Sequence, residues 1–314
     1  LSKQSLGEEQ NILLHEWLSR SGDASGGKLG DFMWNEVFPE GDARREADDV
    51  PEEVIAIKLA DVRDFVGKHY HPDNATLAIV GDVDAGAALA AVHHYFDDLP
   101  RSAEPPPAAP RAQVSFTGKM TLTLVSQNEQ PKLNVVYTVP KPTSADEHAV
   151  ARVMAARLER VLSDELVTKR LWASEVHVYV GDLAGTGYVA ISVGLRGNVR
   201  HAVVENAVDA IIEHVQTGQY DVEDAKRSVA VDRTRLYSML ATRAMALTEA
   251  NESTSLDVEL SAIGRVTFEQ ARKYARERLP SSRRLVVREK AATEAQRVGA
   301  VYSREGRLFG GESK

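Results

Sequence analysis

The chain has no cysteine among its 314 residues, which removes disulfides, thiolate metal ligands and cysteine nucleophiles together. That absence does not choose a compartment, and bacterial periplasm and cytoplasm both stay open. Positive charge is in short supply as well. Lys and Arg number 38 against 46 Asp and Glu, a net charge of -8, which argues against a nucleic-acid partner held through its phosphates. No apolar run approaches the ~20 residues that span a bilayer. No signal peptide opens the chain, which begins at Leu1 and not at Met, as a processed product or a fragment would. No G-x-S-x-G elbow nominates a serine nucleophile. Histidines at metal-ligand spacing are missing too. His15-Glu16 would need a histidine at 19, where Ser19 stands, and His69/His71 and His93/His94 cannot place two ligands on one helical face.

What is present reads as a soluble globular protein, 43% hydrophobic and 27% charged, and long enough for two cores. The stretch Arg101-Ser-Ala-Glu-Pro-Pro-Pro-Ala-Ala-Pro110 is stiff and extended, and it divides the chain. We expect a first domain over 1–100, a linker over 101–111, a second domain over 112–290 and a loose tail over 291–314. Helices are expected near 8–20, 26–37, 58–70 and 84–97, with a strand near 75–81. After the linker come strands at Met120–Ser126 and Leu133–Val139. A long helix then starts at Ser144, with Glu147 three residues on as a capping box. Strands near 174–181 and 187–195, helices near 199–216, 221–240 and 267–278, and a strand near 284–288 complete the order. The helix–proline–strand passage at Asp61–Val80 recurs at Glu269–Arg288 with Pro72 and Pro280 in register, which favours an internal duplication.

Two glutamates stand out. Glu9 and Glu16 lie seven residues apart in a helical stretch, so both carboxylates face one way. A carboxylate is a competent zinc ligand, but on spacing alone such a pair is an ordinary solvated face. Gly22-Asp-Ala-Ser-Gly-Gly-Lys28 matches G-x-x-x-x-G-K formally. Leu29 stands where Ser or Thr should bind magnesium, and a helix precedes it instead of a strand, so it reads as a glycine-rich connection. The charge cluster Asp42–Glu53 reads as a solvated loop, and Trp17, Trp34 and Trp172 as core or interface anchors.

Several segments resemble the pitrilysin/insulinase family of inverted zincin metallopeptidases. They are Phe65–Asp84, Tyr95-Phe-Asp-Asp-Leu-Pro100, Leu29–Pro39 with Trp34 and Phe38, and Arg157–Arg170. The likeness spans about residues 5–290 and is most specific at 65–100. It implies an α+β fold of two related α/β domains, the first incomplete at its N-terminus, forming one half of a clamshell around an unfolded peptide. In that family an H-x-x-E-H helix binds zinc. By position Glu16 would be the third zinc ligand and Glu9 its supporting partner, while the histidines and the general-base glutamate would lie upstream of Leu1. Arg170 falls where family members hold substrate, but Ser174 occupies the place of the accompanying Tyr, and Asp42–Asp49 departs from the usual loop. The resemblance therefore implies the downstream portion of a zinc metalloendopeptidase, inactive alone, with zinc only in the complete enzyme. The alternative is a non-catalytic subunit paired with an active zinc peptidase. Either way the partners are a peptide and a second peptidase-family half or subunit.

Overall fold

The computed structural model describes residues 2–22, 51–102, 118–126, 130–183, 185–249, 255–291, 300–302 and 308–310. These fall into two compact units. One holds the described residues within Leu1–Trp17, Asp49–Ala109 and Ala230–Ser261, the other those within Leu18–Asp48, Pro110–Val229 and Ala262–Lys314. The expected helix at 26–37, the glycine-rich connection after Gly22 and most of the proline-rich linker lie outside the described residues.

The second unit is built on a five-stranded sheet. Its strands are β1 (Lys119–Ser126), β2 (Lys132–Pro140), β3 (Ala173–Leu183), β4 (Thr186–Leu195) and β5 (Arg284–Ala291), in the order β1-β5-β2-β4-β3. Only β1 and β5 run parallel; the other neighbours are antiparallel. The mixture of helices with a largely antiparallel sheet is an α+β fold. Strand β2 lies inside the sheet, and its run Leu133–Tyr137 is buried throughout. Strand β4 buries Val189, Ile191, Val193 and Leu195 in strict alternation. Helices α5 (Ala145–Leu162), α6 (His201–Thr217) and α10 (Phe268–Arg278) pack on the sheet and on one another.

Local chemistry starts these helices where the sequence suggests. Ser144 Oγ accepts from the Glu147 N–H, as a capping residue does. The box is not reciprocal, because the Glu147 carboxylate reaches back to the N–H and hydroxyl of Thr143 instead. Helix α10 has the reciprocal form, with Thr267 and Gln270 each capping the other's backbone. The outer edge of β3 is protected by Glu159, whose carboxylate accepts the Val178 N–H at 2.7 Å.

The first unit contains most of α1 (Lys3–Gly22), with α2 (Pro51–Ala56), α3 (Leu59–His69) and α4 (Ala85–Phe96). From residues 230–261 it also takes most of α7 (Glu223–Ser238), α8 (Leu240–Glu249) and the start of α9 (Leu256–Arg265). Its composition of burial is the reverse of the second unit's. Among the described residues every buried hydrophobic side chain lies in the second unit, and the first has none. The strand expected near 75–81 is not formed; residues 75–80 belong to no helix or strand and pair with no other strand among the described residues. The duplicated passage explains the difference. Counted from Pro72 and Pro280, Leu77 and Ile79 correspond to Leu285 and Val287. The latter two sit in β5 between β1 and β2 and are fully buried, whereas Leu77 is 58% and Ile79 47% exposed. A strand is a relation between neighbours, and among the described residues Ala75–Val80 has none. Within the stretch expected as a tail, β6 (Ala300–Tyr302) and β7 (Leu308–Gly310) pair antiparallel.

Candidate functional site

Glu9 and Glu16 both lie on α1, and both are exposed. Ile12 and Leu13 fall between them at i+3 and i+4, so the four residues make one helical face. Those two apolar side chains are 50% and 42% exposed, an arrangement that suits a covered face better than a solvated one. The rotation of α1 is fixed by the neighbouring Gln10. Its amide donates to the carbonyls of Val54 at 2.8 Å and Ile57 at 3.1 Å, satisfying the open end of α2.

This pair is not a zinc site by itself. Among the described residues no three His, Asp or Glu side chains come together as a metal would require. The histidines are used otherwise. His71 Nε2 lies 2.7 Å from the Gly67 carbonyl, and its Nδ1 3.3 Å from that of Pro100. His93 pairs with Asp97 one turn on.

Arg170 is held in the second unit by a different device. Helix α5 does not stop at Leu162 but widens into a π-turn over Ser163–Lys169. There the Arg170 N–H reaches the Glu165 carbonyl, five residues back, at 3.0 Å. The Arg170 guanidinium donates to Glu165 Oε1 from Nε at 2.8 Å and from Nη2 at 2.8 Å. Its other side lies over the Trp172 ring, 4.6 Å from the centroid. Hydrogen bonding from Arg170 draws the Glu165 carboxyl below its ordinary range. Leu171, between them, has φ of 55°, the left-handed conformation that a leucine rarely adopts. The sequence reading placed Arg170 by resemblance but missed Glu165. Five residues apart are about 140° apart on an α-helix, so only the wider turn brings the two together.

Ser174 follows in β3. It meets the Gln130 side-chain amide in a short contact, and its hydroxyl donates to the Gly194 carbonyl at 3.4 Å. A Cβ on Gly194 would come within 2.9 Å of Ser174 Oγ, so glycine is what admits the serine there.

The second unit is an α+β fold, and among the described residues no metal-holding cluster accompanies it. The family model described as the peptidase M16 inactive domain matches residues 56–229, more than half of the chain, and the chain belongs to that family. A curated relative, an uncharacterized zinc protease of Streptomyces coelicolor, is 24% identical over 227 residues, 68% of this chain. The chain spans about half (49%) of that relative's length. Among solved structures, a protease from Helicobacter pylori superimposes with a TM-score of 0.79 at 16% identity, over 92% of this chain and 73% of that one. The first half of the periplasmic protease PqqL from Escherichia coli gives 0.72 at 15% identity, over 92% and 66%. At these identities the structural likeness speaks for the fold. Among the described residues no helix is long and apolar enough to cross a membrane.

Proposed function

We propose that this chain is the downstream portion of a zinc-dependent metalloendopeptidase that hydrolyses peptides in a clamshell chamber, and that it is inactive alone. In this reading residues 1–100 are the C-terminal part of a first peptidase-like domain, 101–111 the linker and 112–290 a complete second domain. The observation that carries it is the contrast within the duplicated passage. Leu285 and Val287 are buried in a five-stranded sheet, while Leu77 and Ile79 stand exposed on a segment with the same pattern and no strand neighbour among the described residues.

Glu16 would then be one zinc ligand, with Glu9 supporting it, and the H-x-x-E-H segment would supply the rest. Zinc in such a site polarises the scissile carbonyl and makes bound water nucleophilic near neutral pH. Arg170 would bind the peptide.

The test adds a separately expressed H-x-x-E-H segment to the chain and follows cleavage of a quenched fluorescent peptide and zinc content by mass spectrometry. The chain alone should cleave nothing. The combination should bind zinc, and Glu16→Gln should lose zinc and activity together. Activity that survives Glu16→Gln would defeat the assignment. A second reading, a non-catalytic subunit of an active zinc peptidase, is favoured by one feature, Ser174 in the place of the Tyr that the family resemblance leads one to expect. It gains if the native protein co-purifies with a separate H-x-x-E-H chain and the combination above stays inactive.

A further inference from the structure

The chain leaves the helical part of the first unit through Pro100-Arg101-Ser102, and two side chains from one turn hold that exit. The turn is the 3-10 segment Pro72–Asn74, with His71 at its head. It is closed on itself and onto α3: the Asn74 N–H reaches the His71 carbonyl at 3.0 Å, and the Asn74 side-chain amide the His69 carbonyl at 2.9 Å. From this firm base Asp73 accepts the Ser102 N–H, at 3.1 Å from Oδ1 and 3.3 Å from Oδ2. His71 Nδ1 stands 3.3 Å from the Pro100 carbonyl. Each pair is 29 residues apart in sequence, so neither contact is a by-product of local chain geometry.

The ring chemistry adds a condition. His71 Nε2 lies 2.7 Å from the Gly67 carbonyl, so both ring nitrogens face oxygens that can only accept. A neutral imidazole has one N–H, and the shorter contact, to Gly67, takes it. An imidazolium has two and serves both carbonyls. The hold on Pro100 therefore tightens when the ring gains a proton, while the hold of Asp73 on Ser102 does not depend on it. The titratable and charged groups on the elements that meet at the ring are Arg63, Asp64, Lys68 and His69 of α3, Tyr70 and Asp73 beside it, Arg101 of the exit, and Asp97 and Asp98 after α4. Lys68 pairs with Asp64 at 2.7 Å and His93 with Asp97 at 3.0 Å.

The duplicated passage shows that this device is particular to the first copy. Counted from Pro72 and Pro280, His71 corresponds to Leu279, Asp73 to Ser281 and Gly67 to Ala275. Leu279 is fully buried, and the Gln216 amide takes the carbonyls of Ala275 and Leu279 at 3.3 and 3.0 Å. The second unit thus closes the same helix end with neither an ionisable ring nor a carboxylate in the turn. The first copy has, in addition, a chain to hold. Its exit leads into Pro105-Pro-Pro107 and Pro110, a stiff stretch by its sequence. A stiff segment carries a direction only when its root is held.

We propose that His71 and Asp73 form a clamp on Pro100–Ser102 that fixes the direction in which the chain enters the proline-rich stretch, and that the His71 jaw is operated by a proton. Asp73 holds at every pH above the carboxylate range. His71 closes on Pro100 as pH falls below about 6 and lets go as pH rises above about 7. The sign follows from the donor count: the fully clamped form holds one more proton, so lower pH favours it. The clamp stands whether or not the chain is part of a zinc peptidase.

The test is amide-resolved hydrogen exchange by NMR on the 314-residue chain, with rates corrected for the intrinsic effect of pH. The Ser102 N–H reports the clamp. The Ala87 N–H, held by Asp84 at 2.7 Å in the same unit, is the reference. In the parent chain Ser102 protection relative to Ala87 should be roughly 3-fold greater at about pH 5.5 than at about pH 8. His71→Leu, which installs the residue of the second copy, should abolish that difference. Asp73→Ala should lower Ser102 protection about 10-fold at both pH values, the loss of a bond to a charged acceptor, and Asp73→Asn by less. Trypsin should cut the Arg101–Ser102 bond faster in Asp73→Ala by a similar factor. Equal protection of the parent at the two pH values, or a pH effect that survives His71→Leu, overturns the proton-operated jaw. Ser102 protection or trypsin cleavage unchanged by Asp73→Ala overturns the clamp. So does a loss that Ser102 and Ala87 share, since that is a general loosening of the unit.

Discussion

Replacing Glu205 should be the most damaging single change in the second unit. Its side chain, on α6, is 4% exposed and faces three cations from the sheet: Arg288 at 2.7 Å, Lys119 at 2.8 Å and Arg284 at 3.3 Å. Arg284 is wholly buried and divides itself between Glu205, Asp209 and the Tyr137 hydroxyl. Removing the carboxylate leaves like charges facing one another with one counter-ion, Asp209, still at hand. Breaking a buried pair from one side costs about 3–5 kcal/mol. Glu205→Ala should fall in that range. Glu205→Gln, which keeps an acceptor oxygen and the volume, should cost less. With a urea m-value of roughly 2 kcal/mol/M, the alanine variant should unfold about 2 M earlier. The pH dependence separates this account from simple loss of packing. Burial works to raise the Glu205 pKa, but hydrogen bonds and charge from Lys119 and Arg288 outweigh it and hold the carboxyl below its ordinary value. A lowered folded pKa means stability that is complete above the unfolded value of about 4.3 and is lost as pH falls through the folded one. The deficit of Glu205→Gln should thus be constant from pH 7 to about 5 and shrink below about 4. Urea melts followed by circular dichroism at several pH values measure it. A glutamine deficit that stays the same at pH 3 would refute the electrostatic argument, as would an alanine variant within about 1 kcal/mol of the parent.

Two further outcomes follow from burial alone. Desolvation pushes the Tyr274 phenol up to about 12, and among the described residues its hydroxyl has no hydrogen-bond partner. Since the folded state keeps the proton longer, stability should fall between about pH 10 and 12 by roughly 2 kcal/mol. Tyr274→Phe should remove that loss and cost nothing at neutral pH, which alkaline melts will check; a variant destabilised by more than about 1 kcal/mol at pH 7 would reveal a partner. Hydrogen exchange should show residues 59–96 far less protected than β2, β4 and β5, because buried apolar contacts are what resist opening and the first unit has no buried hydrophobic side chain among its described residues. Equal protection in the two units would count against an incomplete first domain.

The second unit's fold was legible wherever one physical pattern dominated. The strand near 187–195 was expected where β4 lies, and a helical apolar stripe bounded by Ser144 marked α5. What escaped were features made by relations that periodicity does not carry. The reciprocal half of the Ser144 cap went to Thr143, a residue one position further out. The π-turn is invisible because its neighbours are five apart, off-face for the spacing any helical reading assumes. Helices α8 and α9 were missed altogether, and Met239, Leu240 and Met245 in the first of these regions are more than half exposed, so the sequence there lacks the sharp apolar stripe that would have marked them.

Residues 75–80 carry the most instructive failure, because the local signal for a strand was correct and the strand still did not form. The same helix, proline and apolar run produce β5 where β1 and β2 flank it, and an unpaired segment where no strand among the described residues does. Propensity is thus not sufficient to make a strand or to bury Leu77 and Ile79, which requires the neighbouring strands themselves. The same reasoning bears on Glu16. A metal ligand must be held to within a fraction of an ångström, and that precision comes from packing beneath it. Helix α1 has Gln10 to set its rotation, yet its carboxylate face carries Ile12 and Leu13 in the open. In the proposed enzyme, whatever covers those two side chains would fix Glu16 as well, so zinc affinity should rise together with hydrogen-exchange protection of α1.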